Sequence, residues 1–290
     1  MPAGNVRHVF NRIVSTAGIK IECQTIWGGR FRCDPRDVIQ NRLLYHGVWE
    51  PALTRYVEAI LRPGDSLLDI GANVGYYSIL AGMLVGEEGQ VFAVEPMPET
   101  IGALRVNIAL NCLDNITVIE RAVTTSPNSL TMYYGPVYNS GKSSAIMDRA
   151  GSRAVTVLGE RLESLLSPEE VSRIRMVKID IEGGELQIIA QIAANPGYFD
   201  PGTTFMIELS IAANDDERIE RRRVMQSFID QQYHIYVVEN RYDDAFYDEE
   251  FTADRMMADE VTDAESLPDG QCDLILSRRK IDDILQRRFP

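Results

Sequence analysis

The stretch LLDIGANVGYYSIL, residues 67–80, joins two apolar segments through a turn with glycines at 71 and 75 and an asparagine between them. The first segment has the pattern of a buried strand and the second that of a helix. Glycine in such a turn either lets the strand pack closely against the helix or lets a ligand approach the backbone. The rest of the sequence has to distinguish these two explanations.

The composition is that of a globular protein with an excess of acidic residues. The 290 residues carry a formal net charge of -14, and the sequence pI is near 4.7. A surface that binds nucleic acid needs clustered Lys and Arg, so we expect no nucleic-acid partner. The short basic runs at 221–223 and 278–280 are expected to be solvated faces.

Four cysteines, Cys23, Cys33, Cys112 and Cys272, are scattered along the chain without a CxxC pair. This spacing indicates neither a zinc site nor a disulfide framework, and reduced thiols are expected. The N-terminal residues contain no apolar run of signal-peptide length, and no stretch is apolar enough to span a membrane. We therefore expect a cytoplasmic protein.

Hydrophobic periodicity divides the chain into an N-terminal appendage, residues 1–62, and a larger domain, residues 63–290. The appendage is predicted to contain a hairpin around Gly28-Gly29 and a helix over residues 51–61. The larger domain alternates strands and helices, which predicts an α/β fold with a Rossmann-like, seven-stranded, mostly parallel sheet and one antiparallel edge strand. The predicted strands are 66–70, 90–95, 116–123, 175–180, 203–209, 234–239 and 272–277, and the predicted helices are 74–85, 97–111, 159–173 and 183–194. An extra hairpin is expected within 124–158.

The glycine turn leaves the carboxyl end of the first core strand, where ligands bind in open α/β sheets. The second strand ends in Glu95, at the place where an acidic side chain accepts hydrogen bonds from ribose hydroxyls. The dinucleotide pattern G-x-G-x-x-G is absent, because Asn73 and Tyr76 replace its second and third glycines. A nucleoside cofactor with an amino-acid end fits better, since Asp69 can bind an ammonium while the N–H groups of the turn bind a carboxylate.

Several separated motifs resemble the FkbM-type S-adenosylmethionine-dependent methyltransferases, namely GVWEPALTRYVEAILRPGDSLLDIGANVGYYSILAG, VFAVEPMPET, NSGKSSAI and VKIDIEGGELQII. The resemblance covers residues 36–210 and implies a class I methyltransferase domain with S-adenosyl-L-methionine as its cofactor. It also implies that Glu50 reaches the cofactor from the appendage, while the group that meets the adenine is left open. The expected cofactor-binding residues are Glu50, Asp69, Gly71, Ala72, Asn73, Gly75, Tyr76, Glu95, Pro96, Ser143 and Asp180.

Acidic residues gather at the ends of the fourth and fifth strands. Lys178 and Asp180 share one face of the fourth strand, and Glu208 closes the fifth. Such carboxylates raise one another's pKa unless a cation lies among them, and the cofactor sulfonium beside Asp180 is the favoured cation. A divalent metal is the alternative, held by Asp180, Glu182 and Glu208. Candidate bases for an in-line methyl transfer are Asp180, Glu182, Glu208 and His46, which the sequence does not rank; Glu182 is explained equally well by the charge preference of a helix N-terminus.

The segment 241–270 is rich in acidic and aromatic residues and follows the sixth strand at the carboxyl edge. It is either a solvated loop, which its composition favours, or a lid over the site. A lid of this charge favours a neutral or cationic substrate over a phosphorylated one.

The combined pattern predicts a methyltransferase acting on a hydroxyl of a small molecule such as a sugar or a natural product, with the oxygen target implied by the resemblance. Two alternatives are a regulatory protein that binds the cofactor without catalysis, and an enzyme that transfers another group from a related sulfonium. The acceptor, the metal dependence and the oligomeric state are not determined by the sequence, a homodimer being one option.

Overall fold

The structure is a computed structural model that describes residues 19–135, 153–181, 183–241, 246–247 and 258–285. Its strands are β1 (Ile21–Gln24), β2 (Arg30–Cys33), β3 (Ser66–Ile70), β4 (Gln90–Val94), β5 (Ile116–Ile119), β6 (Ala122–Thr124), β7 (Asn128–Tyr133), β8 (Ala154–Arg161), β9 (Ile174–Ile179), β10 (Thr204–Leu209), β11 (His234–Val238), β12 (Ala258–Val261) and β13 (Cys272–Ser277). Its α-helices are α1 (Val38–His46), α2 (Pro51–Ile60), α3 (Tyr76–Val85), α4 (Pro98–Leu110), α5 (Leu162–Leu165), α6 (Pro168–Ser172), α7 (Glu185–Ala194), α8 (Asp215–Asp230) and α9 (Ile281–Leu285). Within the described ranges, no helix has the length and apolar character needed to cross a membrane.

Eight of the described strands form one sheet in the order β12-β11-β13-β10-β9-β3-β4-β5. The five strands β3, β4, β5, β9 and β10 are parallel, and β13 runs antiparallel to both β10 and β11. This confirms the mostly parallel α/β fold and the antiparallel pairing of the last two predicted strands.

The predicted number of seven strands is one too low. The edge strand β12 comes from the acidic segment and pairs antiparallel with β11. Its sequence, Ala-Asp-Glu-Val, is too short and too polar to indicate a strand by periodicity. The reversed strand β13 lies inside the sheet, between β10 and β11, and not at the predicted edge.

Both faces of the central strands are covered, as is usual for parallel strands. Because side chains alternate along a strand, Leu68 and Ile70 join one hydrophobic cluster and Leu67 joins the other. The first cluster includes residues of α6, α7 and α8, and the second includes residues of α1, α2, α3 and α9. Asp69 has the same parity as Leu67, so it faces the side covered by the N-terminal helices.

The appendage contains the predicted hairpin, β1 paired antiparallel with β2, and the predicted helix, α2. The division of the chain at residue 62 stays a prediction. Phe31, Leu43 and Leu53 of the appendage pack in the same hydrophobic cluster as Met176 and Met206 of the central sheet. The appendage therefore contributes directly to the core on one side of the sheet.

The interval between β5 and β9 is partly as predicted. The extra hairpin is present as β7 paired antiparallel with β8, and β6 adds to it in parallel with β8. The predicted helix over 159–173 is wrong, because β8 continues to Arg161 and two short helices follow. The second of these, α6, begins with a capping box in which Ser167 and Glu170 bond each other's backbone N–H groups.

Internal packing accounts for both glycines of the turn. Gly71 and Gly75 have φ angles of 83° and 93°, in the region that favours glycine. A Cβ on Gly71 would overlap the carbonyl oxygen of Asp180, and one on Gly75 would lie 2.5 Å from Leu104 Cδ1. The glycines thus permit close approach of β9 and α4, and evidence for a ligand has to come from the polar groups around the turn.

We expect Gly71→Ala to destabilise the fold by about 3 kcal/mol or more, because the strain of positive φ adds to a backbone overlap. The matched control is Gly64→Ala, where φ is 87° and, apart from the two neighbouring residues, no atom of the described residues lies within 4 Å of the added Cβ. It retains the conformational strain alone, about 1 kcal/mol. Urea unfolding measures both, and equal losses in the two variants would contradict this explanation of Gly71.

Candidate active site

The acidic side chains lie on one face of the sheet, at its carboxyl edge. Asp69 and Lys178 are Cα partners on β3 and β9, and Glu208 and Asp273 are Cα partners on β10 and β13. Asp180 follows Lys178 by two positions and has the same parity. Apolar residues of this parity pack in the cluster beneath the N-terminal helices. The carboxyl groups therefore converge on the side of the sheet that the appendage covers.

Lys178 is a cation within this group of acids. Its Nζ lies 2.9 Å from Asp180 Oδ2 and 3.8 Å from Asp69 Oδ1, and its side chain is 8% exposed. Burial alone would lower the pKa of Lys178, but the charges of Asp180 and Asp69 outweigh it and raise that pKa. The expectation that a sulfonium or a metal supplies the neutralising charge is thus incomplete, because the ammonium of Lys178 already does so.

Asp180 and Glu208 are hydrogen-bonded to each other, and Gln271 Nε2 donates to Glu208 Oε1. Burial opposes the ionisation of Asp180, but the charge of Lys178 and the hydrogen bonds from Glu208 and Lys178 lower its pKa. Burial, followed by the charge of Asp180, raises the pKa of Glu208 to about 11. At neutral pH the pair therefore holds one proton, on Glu208.

Glu95 follows β4 and closes the glycine turn. Its Oε2 accepts from the backbone N–H of Asn73 at 3.0 Å, and its Oε1 accepts from that of Met97 at 2.9 Å. Burial raises the pKa of Glu95 to about 7, although these two hydrogen bonds oppose the shift. Each oxygen keeps a second lone pair, so the position is compatible with the predicted ribose hydroxyls.

The backbone N–H groups of the turn are mostly used within the protein. Those of Gly71 and Ala72 donate to the carbonyl oxygen of Val94, and that of Gly75 donates to the carbonyl oxygen of Ala72. The N–H of Asn73 is bound to Glu95, and the expectation that N–H groups of the turn bind a carboxylate stays a prediction. Ala72 itself packs against the side chains of α4 and β4, and Pro96 lies half-buried after Glu95.

Two buried acceptors at the turn fit a donor-rich ligand. Among the described residues, Asp69 Oδ1 and Asn73 Oδ1 have no hydrogen-bond partner. The other oxygen of Asp69 accepts from Ser78 Oγ at 2.5 Å. Buried polar atoms of proteins are normally paired. The ammonium and hydroxyl groups of S-adenosyl-L-methionine are donors, so the residues present fit this cofactor.

Tyr76 and Tyr77, which are adjacent in α3, contact different parts of the molecule. The Tyr76 hydroxyl is bonded to Trp27 Nε1 at 3.0 Å and to Thr54 Oγ1 at 2.9 Å, and the residue is buried. The Tyr76 side chain therefore lies in the core beneath the hairpin, and the cofactor contact of this residue stays a prediction. Tyr77, which sequence reasoning missed, donates its hydroxyl to Glu50 Oε2 at 2.7 Å.

Glu50 is buried at the start of α2 in a left-handed conformation, with a φ of 45° and a ψ of 71°. This region is costly for a residue other than glycine and is common at functional sites. Burial, followed by the charges of Asp273 and Asp180, raises the pKa of Glu50 to about 8. Its predicted approach to the cofactor from the appendage stays a prediction, and its position beside Tyr77 is compatible with it.

Three predicted site residues remain: His46, Glu182 and Ser143. His46, the last residue of α1, lies beside the ring of Tyr247 with centroids 4.9 Å apart, and its Nε2 is 3.4 Å from Arg42 Nη1. Glu182 and Ser143 lie outside the described residues.

The acidic segment is not simply solvated where the structure describes it. Phe246 and Tyr247 are buried, and the backbone N–H of Glu50 donates to the Tyr247 hydroxyl at 3.4 Å. This segment also supplies β12 to the sheet. The described part is therefore integrated into the fold, while its role as a lid stays a prediction.

Asp273 is a further member of the site that sequence reasoning missed. It is 8% exposed, and its Oδ2 accepts from Asn240 Nδ2 at 2.9 Å. Burial raises its pKa to about 6 despite that hydrogen bond. An acidic residue inside the apolar run CDLILS is the signal that could have identified it.

In the part of the chain that the structure describes, no group of three or more His, Cys, Asp and Glu side chains is arranged to hold a metal. The alternative of a metal held by Asp180, Glu182 and Glu208 stays a prediction, since Glu182 is outside that part.

An open, mostly parallel sheet with an acid-bearing turn at its carboxyl edge defines a nucleoside-cofactor-binding α/β domain. Residues 69–200 match the family described as the methyltransferase FkbM domain. This match confirms the resemblance of the motifs to that family.

The curated relatives match shorter parts of the chain. A protein-L-isoaspartate O-methyltransferase of Ignicoccus hospitalis is 30% identical over 51% of this chain and 64% of its own length. The hexuronic acid methyltransferase AglP of Haloferax volcanii is 25% identical over 43% of this chain and 48% of its own length. The chain spans about a third of the length of the first curated relatives that it matches.

Solved structures are similar at a lower level. A SAM-dependent O-methyltransferase from Thermotoga maritima is 12% identical with a TM-score of 0.43, covering 90% of this chain and 79% of that chain. Aeropyrum pernix fibrillarin with natively bound S-adenosyl-L-methionine is 14% identical with a TM-score of 0.41, covering 79% of this chain and 76% of that chain. The fold class therefore rests on the strand order described above.

We expect the stability of the unliganded protein to fall as the pH rises from about 5 to about 8. Asp273, Glu95 and Glu50 have pKa values raised to about 6, 7 and 8. The native state binds their protons more tightly than the unfolded chain, so this stabilisation is complete below the unfolded pKa values. It is lost as the pH passes through the folded values.

Glu50→Gln keeps an acceptor for the Tyr77 hydroxyl but cannot ionise, so its free energy of unfolding should fall less steeply at the upper end of this range. Denaturant unfolding at a series of pH values measures the slopes. A wild-type curve that rises over the same range, or an unchanged slope in the variant, would show that these groups are not buried as described.

Proposed function

We propose that the protein is an S-adenosyl-L-methionine-dependent methyltransferase that methylates a hydroxyl group of a small molecule. The match of residues 69–200 to the FkbM methyltransferase family is the observation that carries this proposal. The matched part begins at Asp69 and contains Glu95, Lys178 and Asp180.

The cofactor would be held at the turn and at the end of β4. Asp69 and Asn73 offer the unpaired acceptors for its amino-acid end, and Glu95 offers carboxylate oxygens for its ribose hydroxyls. When bound, the cofactor supplies an electrophilic methyl group on a sulfonium. The other tasks are those of the protein, which aligns the acceptor oxygen with that methyl group and removes the oxygen's proton.

A hydroxyl acceptor is favoured by the charges of the site. Asp180 is ionised, Asp69 lies 3.8 Å from the Lys178 ammonium, and Glu208 keeps its proton. A phosphorylated acceptor would be repelled by the ionised Asp180 carboxylate, whereas a hydroxyl group can donate to it. The relative named as a protein-L-isoaspartate O-methyltransferase supports an oxygen target, and the relative named as a hexuronic acid methyltransferase supports a sugar acceptor.

The acidic composition favours a small-molecule acceptor over nucleic acid, because a net charge of -14 repels a phosphate backbone. The acidic segment 241–270 would cover the acceptor, since Tyr247 already reaches the backbone of Glu50.

A cofactor-binding regulator without catalysis is the second candidate. It is the alternative that the sequence left open. Turnover separates the two functions: the enzyme should transfer a labelled methyl group to a pool of hydroxylated metabolites, whereas the regulator would bind the cofactor without producing methylated product.

Calorimetry tests the cofactor site directly. S-adenosylhomocysteine should bind and NAD should not, because the turn lacks the glycines of the dinucleotide pattern. Asp69→Asn and Glu95→Gln should each weaken S-adenosylhomocysteine binding about tenfold, the effect of one charge-assisted hydrogen bond.

The matched control is Asp216→Asn, because Asp216 is an exposed residue of α8. It should leave the affinity unchanged. Full affinity in both site variants, or tight binding of NAD, would overturn the assignment of the cofactor site.

A further inference from the structure

A chain of hydrogen bonds with a defined direction crosses the carboxyl edge of the sheet. Gln271 Nε2 donates to Glu208, Glu208 is bonded to Asp180, and Lys178 Nζ donates to Asp180 Oδ2 at 2.9 Å. The amide nitrogen of Gln271 and the ammonium of Lys178 can donate and cannot accept. The two carboxyl groups are therefore bracketed by donors, and the bond between them requires one shared proton.

We propose that Asp180 is the catalytic base that accepts the proton of the acceptor hydroxyl, and that Glu208 is its protonated partner, held by Gln271. This assignment rests on the proposed methyltransferase function. It ranks Asp180 above Glu208, two of the candidate bases that the sequence left unranked.

The position of Lys178 decides which carboxyl group carries the charge. The ammonium touches Asp180, and a positive charge at this distance in a buried site strongly favours the ionised form. Glu208 is bonded to Asp180 and accepts from the neutral amide of Gln271. A neutral carboxyl group has one O–H and one carbonyl oxygen, which match its donation to Asp180 and its acceptance from Gln271.

Access also favours Asp180. Its side chain is 31% exposed although it contacts buried Lys178, so a substrate can approach it. The acceptor's O–H bond breaks as its oxygen forms the bond to the methyl group. The proton passes to the Asp180 carboxylate, and the electron pair of the broken S–CH₃ bond stays on sulfur. The proton then leaves to solvent, so charge and atoms balance.

Arg221 is a positioning residue for Gln271. It is 4% exposed, and its guanidinium donates to the carbonyl oxygens of Ser210, Pro268 and Gly270. These carbonyls belong to the loop after β10 and to the loop before β13, which carries Gln271. Arg221 thus links the two loops from a buried position. The expectation that the basic run 221–223 is a solvated face is wrong for this residue.

The decisive comparison uses isosteric variants. Asp180→Asn removes the base and should lower kcat by about 100-fold or more. Glu208→Gln keeps both hydrogen bonds, since its amide can donate to Asp180 and accept from Gln271, so kcat should stay within about threefold. Glu208→Ala, which loses the donor, should lower kcat about tenfold. The affinity for S-adenosylhomocysteine checks that each variant is folded and retains its cofactor site.

The opposite order would overturn the proposal: strong loss in Glu208→Gln with activity retained in Asp180→Asn makes Glu208 the base. Loss of about 100-fold in both variants would also overturn it, because it makes an ionisable Glu208 essential.

Infrared difference spectroscopy tests the proton's position without turnover. Glu208→Gln should remove a protonated-carboxyl C=O band from the spectrum at neutral pH, whereas Asp180→Asn should leave the protonated band of Glu208 in place. A spectrum in which Glu208→Gln removes a carboxylate band instead would contradict the proposal. If the wild-type protein methylates no acceptor, the proposed function fails, while this spectrum still decides where the proton lies.

A separate experiment tests whether Arg221 positions Gln271. Arg221→Gln and Gln271→Ala should each lower kcat about three- to tenfold, and the double variant should be no worse than the more damaging single one, because both act through Glu208. The control is Arg223→Gln, which alters an exposed residue paired with Glu220 and should leave kcat unchanged. Additive losses of kcat in the double variant, or equal kcat in the Arg221 and Arg223 variants, would show that Arg221 does not position Gln271. Gln271→Ala tests the bond between Gln271 and Glu208 while leaving Arg221 and its three carbonyl partners in place.

Discussion

The site depends on one buried ammonium among several carboxyl groups. Lys178 touches Asp180 and approaches Asp69, while Glu50 and Asp273 are buried in the same region. Burial without compensation drives a carboxyl group to keep its proton. The protonation states of the acids therefore differ. Asp180, which contacts Lys178, is ionised, whereas Glu208, Glu50 and Glu95 have raised pKa values. Acid–base chemistry at neutral pH needs this kind of contrast between neighbouring carboxyl groups.

The appendage helps to bury the carboxyl groups, and this burial contributes to the differences between their pKa values. Its hairpin and helices cover the sheet face that carries the acids, and Trp27 and Thr54 fix the Tyr76 hydroxyl beneath them. One position further along α3, Tyr77 reaches Glu50, whose strained backbone begins α2. Burial of the carboxyl groups is thus a property of the appendage and the sheet together, so changes in the N-terminal residues should alter protonation as well as stability.

Sequence periodicity predicted which acidic residues lie at the ends of strands. Asp69, Glu95, Asp180 and Glu208 were found because carboxyl ends of parallel strands meet at one edge. Contacts that depend on side-chain orientation could not be predicted from the sequence. Tyr76 and Tyr77 look equivalent there, but adjacent side chains of a helix differ in direction by about 100°, so the two contact different residues. The turn glycines suggested a ligand, yet the backbone of Asp180 and the side chain of Leu104 explain them. Asp273 was missed because the partner of β13 depends on strand order, and β12 because four residues carry too little pattern.

A neutron crystal structure of the deuterium-exchanged protein at neutral pH tests the central claim most directly, because it locates the exchangeable protons of the buried group. The account predicts three deuterons on Lys178 Nζ, an Asp180 carboxylate without a deuteron, and one deuteron on Glu208 directed at Asp180. A deuteron on Asp180 with Glu208 bare, or a neutral Lys178, would contradict it.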